Sequence, residues 1–441
     1  MPHVALVPFT GLRVKEAELA ELGMSLPGLR PRSAALAELP ALGLLTLAGM
    51  TPEDWTCSYH EANGDLDSLA EQVARTRPAL VAVSALTASV MDAYRFSEKL
   101  KLRGIRVVIG GLHATACPDE AGRYCDAVVA AEGEPVWLQV LGDAAANELK
   151  PLYRSTRPFD FSCAPTPRFD LLGSRPRPRI TLQTERGCPL ACDFCGASRL
   201  LGSFREKPID RIAVELAAIR QLDSKPWLEL ADDNTFAGSR QPDELFAALS
   251  DANARYFTEV DWRVGERPEV LRGLAASGCV QVLVGIESLV FRYPGMGAKL
   301  AELNRIMDSV EAIQEAGVAV NGCFIVGAEG ESHASLDRLT QFIFDSPLAE
   351  VQITVQTPFP GTMLYHRLKT AGRLLPDRDW SHYTLFDVVY RPDGLSVDEL
   401  EQEFRDVVRN VFAAEATRRR GAIRRRVWKN NPRLKHDGND I

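Results

Sequence analysis

Three cysteines crowd into one short stretch, Gln183-Thr-Glu-Arg-Gly-Cys-Pro-Leu-Ala-Cys-Asp-Phe-Cys-Gly196. Cys188, Cys192 and Cys195 follow a Cys-x3-Cys-x2-Cys spacing. Thiolates are soft ligands and suit iron–sulfur centres. Three of them on one tight loop can hold three irons of a four-iron cubane. The fourth iron is then left without a protein ligand, which makes it a substrate site by the logic of an open catalytic metal position. No fourth cysteine stands at ferredoxin-like spacing, which argues against a pure electron carrier. The alternative is a zinc knuckle. Zinc sites favour a second Cys-x2-Cys pair or added histidines, and neither is nearby.

These residues need elements to hold them. Residues 1–150 alternate short apolar runs with helical patterns. Strands are expected at Val4–Val7, Trp55–Tyr59, Leu80–Ser84, Ile105–Ile109 and Ala127–Ala130. Helices are expected at Leu66–Arg75, at Ser89–Lys101 and from about Glu134. Such alternation predicts a doubly wound α/β sheet, which binds ligands at the carboxyl ends of its strands. Residues 151–178 are rich in Pro, Arg and Ser and read as a linker. Over 179–370 the alternation resumes. Strands are expected at Ile180–Gln183, Trp227–Leu230, Val260–Val264, Val280–Val284, Ala319–Ile325 and Val351–Val355. Six such units predict a (β/α)6 partial barrel whose working face is the carboxyl end of the strands. Residues 371–441 read as a small helical region, with a helix over Ser396–Arg418 capped by Ser396. The basic tail from Arg418 to Lys435 reads as a solvated helix end or, alternatively, an anionic-surface or partner contact.

Composition sets outer bounds. The 441 residues are 46% hydrophobic and 25% charged, which is ordinary for globular domains, and the net charge of −8 offers no global basic field for nucleic acid. No apolar run reaches the roughly 18 residues of a membrane span. The N-terminus lacks the pattern of a secretory signal, so a reducing cytoplasmic setting is expected. The nine cysteines are an odd count without a disulfide-like framework.

The cysteine segment, with Phe194 before its last cysteine, resembles the radical S-adenosylmethionine superfamily. That resemblance implies a [4Fe–4S] cluster on Cys188, Cys192 and Cys195. S-adenosylmethionine would chelate the open iron, and one electron would split it to a 5′-deoxyadenosyl radical. Phe194 would flank the cofactor. Glu229-Leu-Ala-Asp-Asp-Asn-Thr-Phe236 ends the second barrel strand, and Asp233 is the position implied to receive the cofactor's amino group. An ammonium needs an acceptor that stays ionised; helix capping by Asp233 or Asn234 is the alternative. Glu287, ending the fourth strand, could accept from ribose hydroxyls or the amino group. Gly322-Cys-Phe-Ile-Val-Gly327, followed by Glu331, looks like the family's fifth-strand adenine motif, with Gly322 and Gly327 giving room to a flat ring. Thr357–Thr362 closes the sixth strand.

The first domain resembles the cobalamin-binding domain of the cobalamin-dependent members of that superfamily. The matching stretches are Leu39–Leu44, Ser84–Val90, Gly110–Thr115 and Glu132–Glu134. Ser84 and Thr87 could hydrogen-bond a nucleotide tail, and Gly110 and Gly111 would leave room for it. Ordinary flavodoxin-like turns are the alternative. Many cobalamin domains carry a histidine that ligates cobalt from below. Here the comparable stretch is Glu61-Ala-Asn-Gly64, with Asn63 at the ligand position. His60 is expected in or at the end of a strand, and His113 is read as a tail contact or surface residue.

These resemblances imply a cobalamin-dependent radical enzyme. The leading expectation is a methyltransferase acting on an unactivated carbon. The alternatives are a non-methylating relative (cyclase, ring contraction or oxidation) and, from another class, a cobalamin- or redox-sensing binding protein. The expected substrate is a small molecule, lipid or peptide, and the expected electron donor a flavodoxin or ferredoxin. Replacing Cys188, Cys192 and Cys195 together by Ala should remove the cluster from anaerobically purified protein. Iron content and the visible spectrum check this, and normal iron content in the triple variant would refute the assignment.

Overall fold

The computed structural model describes residues 1–10, 19, 39–62, 65–173, 177–196, 200 and 202–434. Its first sheet contains β1 (His3–Phe9), β2 (Thr56–Tyr59), β3 (Leu80–Ala85), β4 (Val107–Gly110), β5 (Ala127–Ala130) and β6 (Leu152–Arg154). The strands pair in parallel in the order β2-β1-β3-β4-β5-β6. Alternate residues of the central strands face opposite layers. Ala5, Val7, Val81, Val83 and Ile109 pack against α2 (Leu66–Arg75) and α3 (Val90–Lys101). Val4, Leu6, Leu80, Ala82 and Val108 pack against α1 (Leu42–Met50) and, beyond the short helices α4 (Leu112–Ala116) and α5 (Pro118–Ala121), against α6 (Trp137–Ala146). Burial on both faces explains why these strands read as continuous apolar runs. α1 escaped the sequence reading because Leu42-Gly-Leu-Leu-Thr-Leu-Ala-Gly-Met50 is apolar almost all round and shows no stripe.

The stretch expected as a linker is packed. It carries β6, and it buries Phe159, Phe161, Phe169 and Leu172.

The second sheet contains β7 (Ile180–Leu182), β10 (Trp227–Leu230), β11 (Arg255–Val260), β12 (Cys279–Glu287), β13 (Ala319–Val326) and β14 (Glu350–Val355), parallel in the order β14-β13-β12-β11-β10-β7. A short antiparallel pair, β8 (Glu185–Arg186) and β9 (Arg205–Glu206), closes the cysteine loop. Outside the sheet lie α7 (Ile209–Leu222), α8 (Pro242–Asp251), α9 (Pro268–Ala276), α10 (Leu303–Glu315) and α11 (His333–Asp345). β12 shows how the barrel sorts its residues. Val282, Val284 and Ile286 join the helix-facing core, while Leu283, Gly285 and Glu287 line the inside. One expected strand needs correction. Val260–Val264 alternates like a strand, but only Val260 ends β11. The Asp261 carboxylate accepts the Arg263 N–H at 3.0 Å and bends Trp262–Glu266 into a 3-10 turn. The true strand was masked by Arg255 and Glu259 among its residues.

After β14 come α12 (Met363–Thr370), α13 (Val397–Val411) and α14 (Ala414–Trp428). Ser396 caps α13 as expected, in a reciprocal capping box with Glu399. The basic tail is solvated along one face, with Arg418, Arg419, Arg425, Arg426 and Lys429 exposed, and packed along the other. α14 folds back under the barrel, where Arg424 Nη1 pairs with Glu350 Oε2 at 2.7 Å and Arg420 Nε stands 3.6 Å from Glu350 Oε1. Trp428 Nε1 donates to the Val280 carbonyl at 3.0 Å. Asn431 Nδ2 donates to the carbonyls of Cys279 at 2.9 Å and Gly317 at 3.0 Å. The tail thus satisfies backbone groups at the amino ends of the strands. Among the described residues no helix is long and apolar enough to cross a membrane.

Glu350 and Arg420 are both buried, so removing one strands the other's charge. Glu350→Ala should lower unfolding stability by about 3–5 kcal/mol. Asp379→Ala, which breaks the half-exposed His382–Asp379 contact, should cost at most about 1 kcal/mol. Denaturant midpoints compare the two.

Candidate functional site

The carboxyl ends of the second sheet surround a cavity of about 340 Å³. Cys188, Cys192 and Cys195 all line it, together with Phe194, Asp233 and Glu287. The cysteine loop is seated from several sides. Ala191 N–H donates to the Gly295 carbonyl at 3.1 Å and Asp193 N–H to the Pro294 carbonyl at 2.9 Å. The Asp193 side chain pairs with Arg367 of α12, and Asn234 Nδ2 donates to Cys188 Sγ at 3.6 Å. Gly295 has φ +82°, and a Cβ there would stand 1.9 Å from the Ala191 carbonyl oxygen. Only glycine permits that approach. The Phe194 ring meets Tyr293 edge-on at 4.7 Å.

Burial pushes the Cys192 thiol up to about 11 and raises Cys188 as well. A coordinating metal reverses this by taking the place of the thiol proton. Among the described residues no three His, Cys, Asp or Glu side chains converge as a single ion requires. Three thiols lining one cavity are the soft donor set that an iron–sulfur cluster takes.

The two adjacent aspartates have different tasks. Asp232 is enclosed and accepts from Thr184 N–H at 2.7 Å, Glu185 N–H at 3.0 Å and Thr235 Oγ1 at 3.0 Å, tying β7 to β10. Asp233 lines the cavity. Burial pushes its carboxyl up to about 6, against a backbone bond from Gly187 that pulls it down. Glu287 holds φ +70°, a conformation that β-strand ends seldom adopt and that active sites often store. Its carboxylate pairs inside the cavity with Lys299. Burial pulls the Lys299 ammonium down, but Glu287 more than offsets this, so its pKa stands above the ordinary lysine value. Trp262 Nε1 anchors the segment by donating to the Lys299 carbonyl at 2.8 Å. Sequence reasoning missed Lys299 and the Pro294-Gly295 seat, since both lie in a loop without periodicity.

Of the Gly322–Gly327 stretch, Cys323, Phe324 and Ile325 line the cavity, and the two glycines flank them. A Cβ on Gly322 would meet Leu348 at 2.8 Å, and Gly327 packs beneath Tyr390, whose hydroxyl donates to its carbonyl. Their small size serves the core. Glu331, buried, accepts from Ala328 N–H at 3.2 Å and from Gly327 N–H.

A second cavity, of about 420 Å³, opens where the carboxyl ends of the first sheet meet the barrel. Ser84, Gly110 and Gly111 line it on one side, and Thr181, Gln183, Arg186 and Ala231 on the other. Gly111 has φ +98°, and a Cβ there would lie 3.0 Å from the Ala85 carbonyl oxygen and 3.1 Å from Ser84 Oγ. The missing side chain thus lets Gly111 pack closely against the end of β3. Thr87 is not on its wall. Its hydroxyl stands 3.3 Å from His113 Nδ1. His113 is fully buried beside Trp380, so the reading of it as a tail contact or surface residue is corrected. His60 follows β2 as expected, with Nε2 held 2.7 Å from Ser58 Oγ. Asn63 lies outside the described residues.

Two family models match the chain: the B12 binding domain over residues 33–141 and the radical SAM superfamily over residues 182–343. A bacteriochlorophyllide d C-12(1)-methyltransferase of Chlorobaculum tepidum is 26% identical over 352 residues, covering 77% of this chain and 76% of that protein. An anaerobic magnesium-protoporphyrin IX monomethyl ester cyclase of Cereibacter sphaeroides is 22% identical over 408 residues, covering 81% and 63%. Among solved structures, the cobalamin-dependent S-adenosylmethionine radical enzyme OxsB with aqua-cobalamin bound aligns with TM-score 0.70 at 14% identity, over 91% of this chain and 66% of that one. The radical S-adenosylmethionine methyltransferase TsrM from Kitasatospora setae, with cobalamin and a [4Fe–4S] cluster bound, aligns with TM-score 0.65 at 13% identity, over 97% and 100%. At these identities the structures establish a shared fold.

Asp233→Ala and Glu287→Gln should retain iron and lose S-adenosylmethionine affinity by about tenfold to a hundredfold, the worth of one charge-assisted hydrogen bond. In the parent protein, affinity should fall as pH drops through about 6, where Asp233 takes up its proton. Calorimetric titration reads both, and unchanged binding in both variants would displace the cofactor from this cavity.

Proposed function

The chain belongs to the cobalamin-dependent radical S-adenosylmethionine superfamily, and from that premise we propose that it is a methyltransferase acting on an unactivated carbon. The observation that carries the reading is the meeting of two cavities at one strand end. Ala231, just past β10, lines the cavity of the first sheet, and Asp233, two residues on, lines the cavity of the cysteines. A substrate beside that strand end would touch both. When bound, the cluster and S-adenosylmethionine supply a carbon-centred oxidant, and cobalamin supplies the methyl group.

The residues divide the work. Cys188, Cys192 and Cys195 would hold the cluster, with Phe194 closing one side of its cavity. Asp233 would accept from the amino group of S-adenosylmethionine and Glu287 from a ribose hydroxyl, with Lys299 beside it to balance the cofactor's carboxylate. Ser84 would bond the cobalamin tail, for which Gly110 and Gly111 leave room. A reactive intermediate requires water to be kept out, and the bound cofactors and substrate would have to complete that enclosure. We assign residues 1–150 to cobalamin, 151–178 to the link, 179–370 to the radical step and 371–441 to the C-terminal support. A small-molecule, lipid or peptide substrate, a flavodoxin- or ferredoxin-type electron donor and a cytoplasmic location complete the proposal. The similarity to a cyclase supports a second reading, a non-methylating reaction with the same cofactors. Mass spectrometry of products from the anaerobically reconstituted enzyme separates them. A gain of one methyl group supports methylation, and product without it supports the second reading.

The lower face of cobalt is proposed to carry no protein imidazole. Asn63 stands at the comparable sequence position, and His60 is engaged with Ser58. An amide is a poor cobalt ligand. Electron paramagnetic resonance of bound cob(II)alamin should therefore show no nitrogen superhyperfine splitting from an axial ligand. Splitting that disappears in His60→Ala would identify His60 as the ligand and overturn this expectation.

A further inference from the structure

We propose that Arg186 is a positioning residue that sets the spacing between the cluster loop and bound cobalamin; the inference rests on the cobalamin reading above. Arg186 ends β8 and stands two residues before Cys188. Its side chain is 11% exposed, and its two terminal nitrogens reach into the other domain. Nη1 pairs with Glu132 Oε1 at 2.6 Å and Nη2 with Glu134 Oε1 at 2.7 Å. Both carboxylates come from the segment after β5, and their side chains are 8% and 7% exposed. Nε and Nη2 also donate to Gln183 Oε1, at 3.2 and 3.0 Å. The Phe161 ring lies 4.8 Å from the guanidinium carbon. Arg186, Gln183 and Glu134 all line the 420 Å³ cavity. One planar group is therefore both a wall of the proposed cobalamin site and the fork by which the cysteine loop grips the first domain.

A guanidinium holds two carboxylates in fixed directions, which a lysine ammonium does not. Productive geometry holds reacting atoms about 3–3.5 Å apart and aligned, so a small change in that grip is costly. Arg205 provides an internal contrast. It also pairs with Glu132, at 2.7 Å, and crosses between the domains, but it does not line the cavity. Arg205 accounts for domain adhesion, and Arg186 adds control of the cavity wall.

The test uses full-length protein with its cluster reconstituted, loaded with hydroxocobalamin and reduced to hold cob(II)alamin beside the reduced cluster. Pulsed electron paramagnetic resonance then reads the dipolar coupling between the two spins. The parent protein should give one narrow coupling. Arg186→Gln and the milder Glu134→Gln should broaden or shift it in the fraction of molecules that holds both the cluster and cobalamin. Arg186→Lys should restore part of the narrow component. Arg205→Gln should lower the melting temperature and leave the coupling unchanged. A parent-like coupling in both Arg186→Gln and Glu134→Gln would overturn the proposal, and should Arg186→Gln fail to fold, Glu134→Gln decides alone. No cob(II)alamin bound to the parent protein would instead refute the cobalamin reading on which the inference rests.

Discussion

The loop from Gln183 to Gly196 has to fit two neighbours at once, and the rest of the structure is arranged around that demand. On one side its backbone hydrogen-bonds to Pro294 and Gly295, where the missing side chain of Gly295 lets the chains touch. On the other, Arg186 reaches Glu132 and Glu134 in the first domain. Neither contact is local in sequence. Both are short and directional, so displacing the loop would break several bonds together. Three thiols can present a common centre only if the loop that carries them is held this way.

The two sheets serve that geometry through the same rule. Parallel strands leave their carboxyl ends free for loops, since the returning helices cover the faces. Here the carboxyl ends of each sheet border a cavity, and the segment after β10 contributes to both, with Ala231 lining one and Asp233 the other. The amino ends of the barrel have no such task. The C-terminal helix and the turn after it close them, with Trp428 and Asn431 taking backbone carbonyls and two arginines meeting Glu350.

Charge placement distinguishes support from function. Asp232 and Asp233 are adjacent, yet Asp232 is consumed by hydrogen bonds from Thr184, Glu185 and Thr235. Asp233 keeps its carboxyl toward the cavity, at the cost of a raised pKa. Glu287 and Lys299 place opposite charges on the same wall. A zwitterionic ligand suits such a surface, because each of its charges finds a partner without stranding another.

The cysteine motif, the doubly wound first domain and five of the six parallel barrel strands were legible in the chain itself. Their signals are short-range: a three-residue ligand spacing, continuous apolar strands, and strand–helix alternation. β11 was misplaced because Arg255 and Glu259 sit within it while Asp261 and Trp262 mimic a strand beyond it. α1 was missed because a helix apolar all round has no period to detect. What only the tertiary structure decided is which polar groups face the cavities. Gly322 and Gly327 proved to make room for core side chains, His113 sits sealed beneath Trp380, and the basic tail is a brace. Lys299, Gly295 and Arg186 take on meaning only beside partners far away in sequence. Ligand spacing is a property of neighbouring residues, whereas burial and pairing depend on which distant segments pack together, and composition and periodicity do not encode that choice.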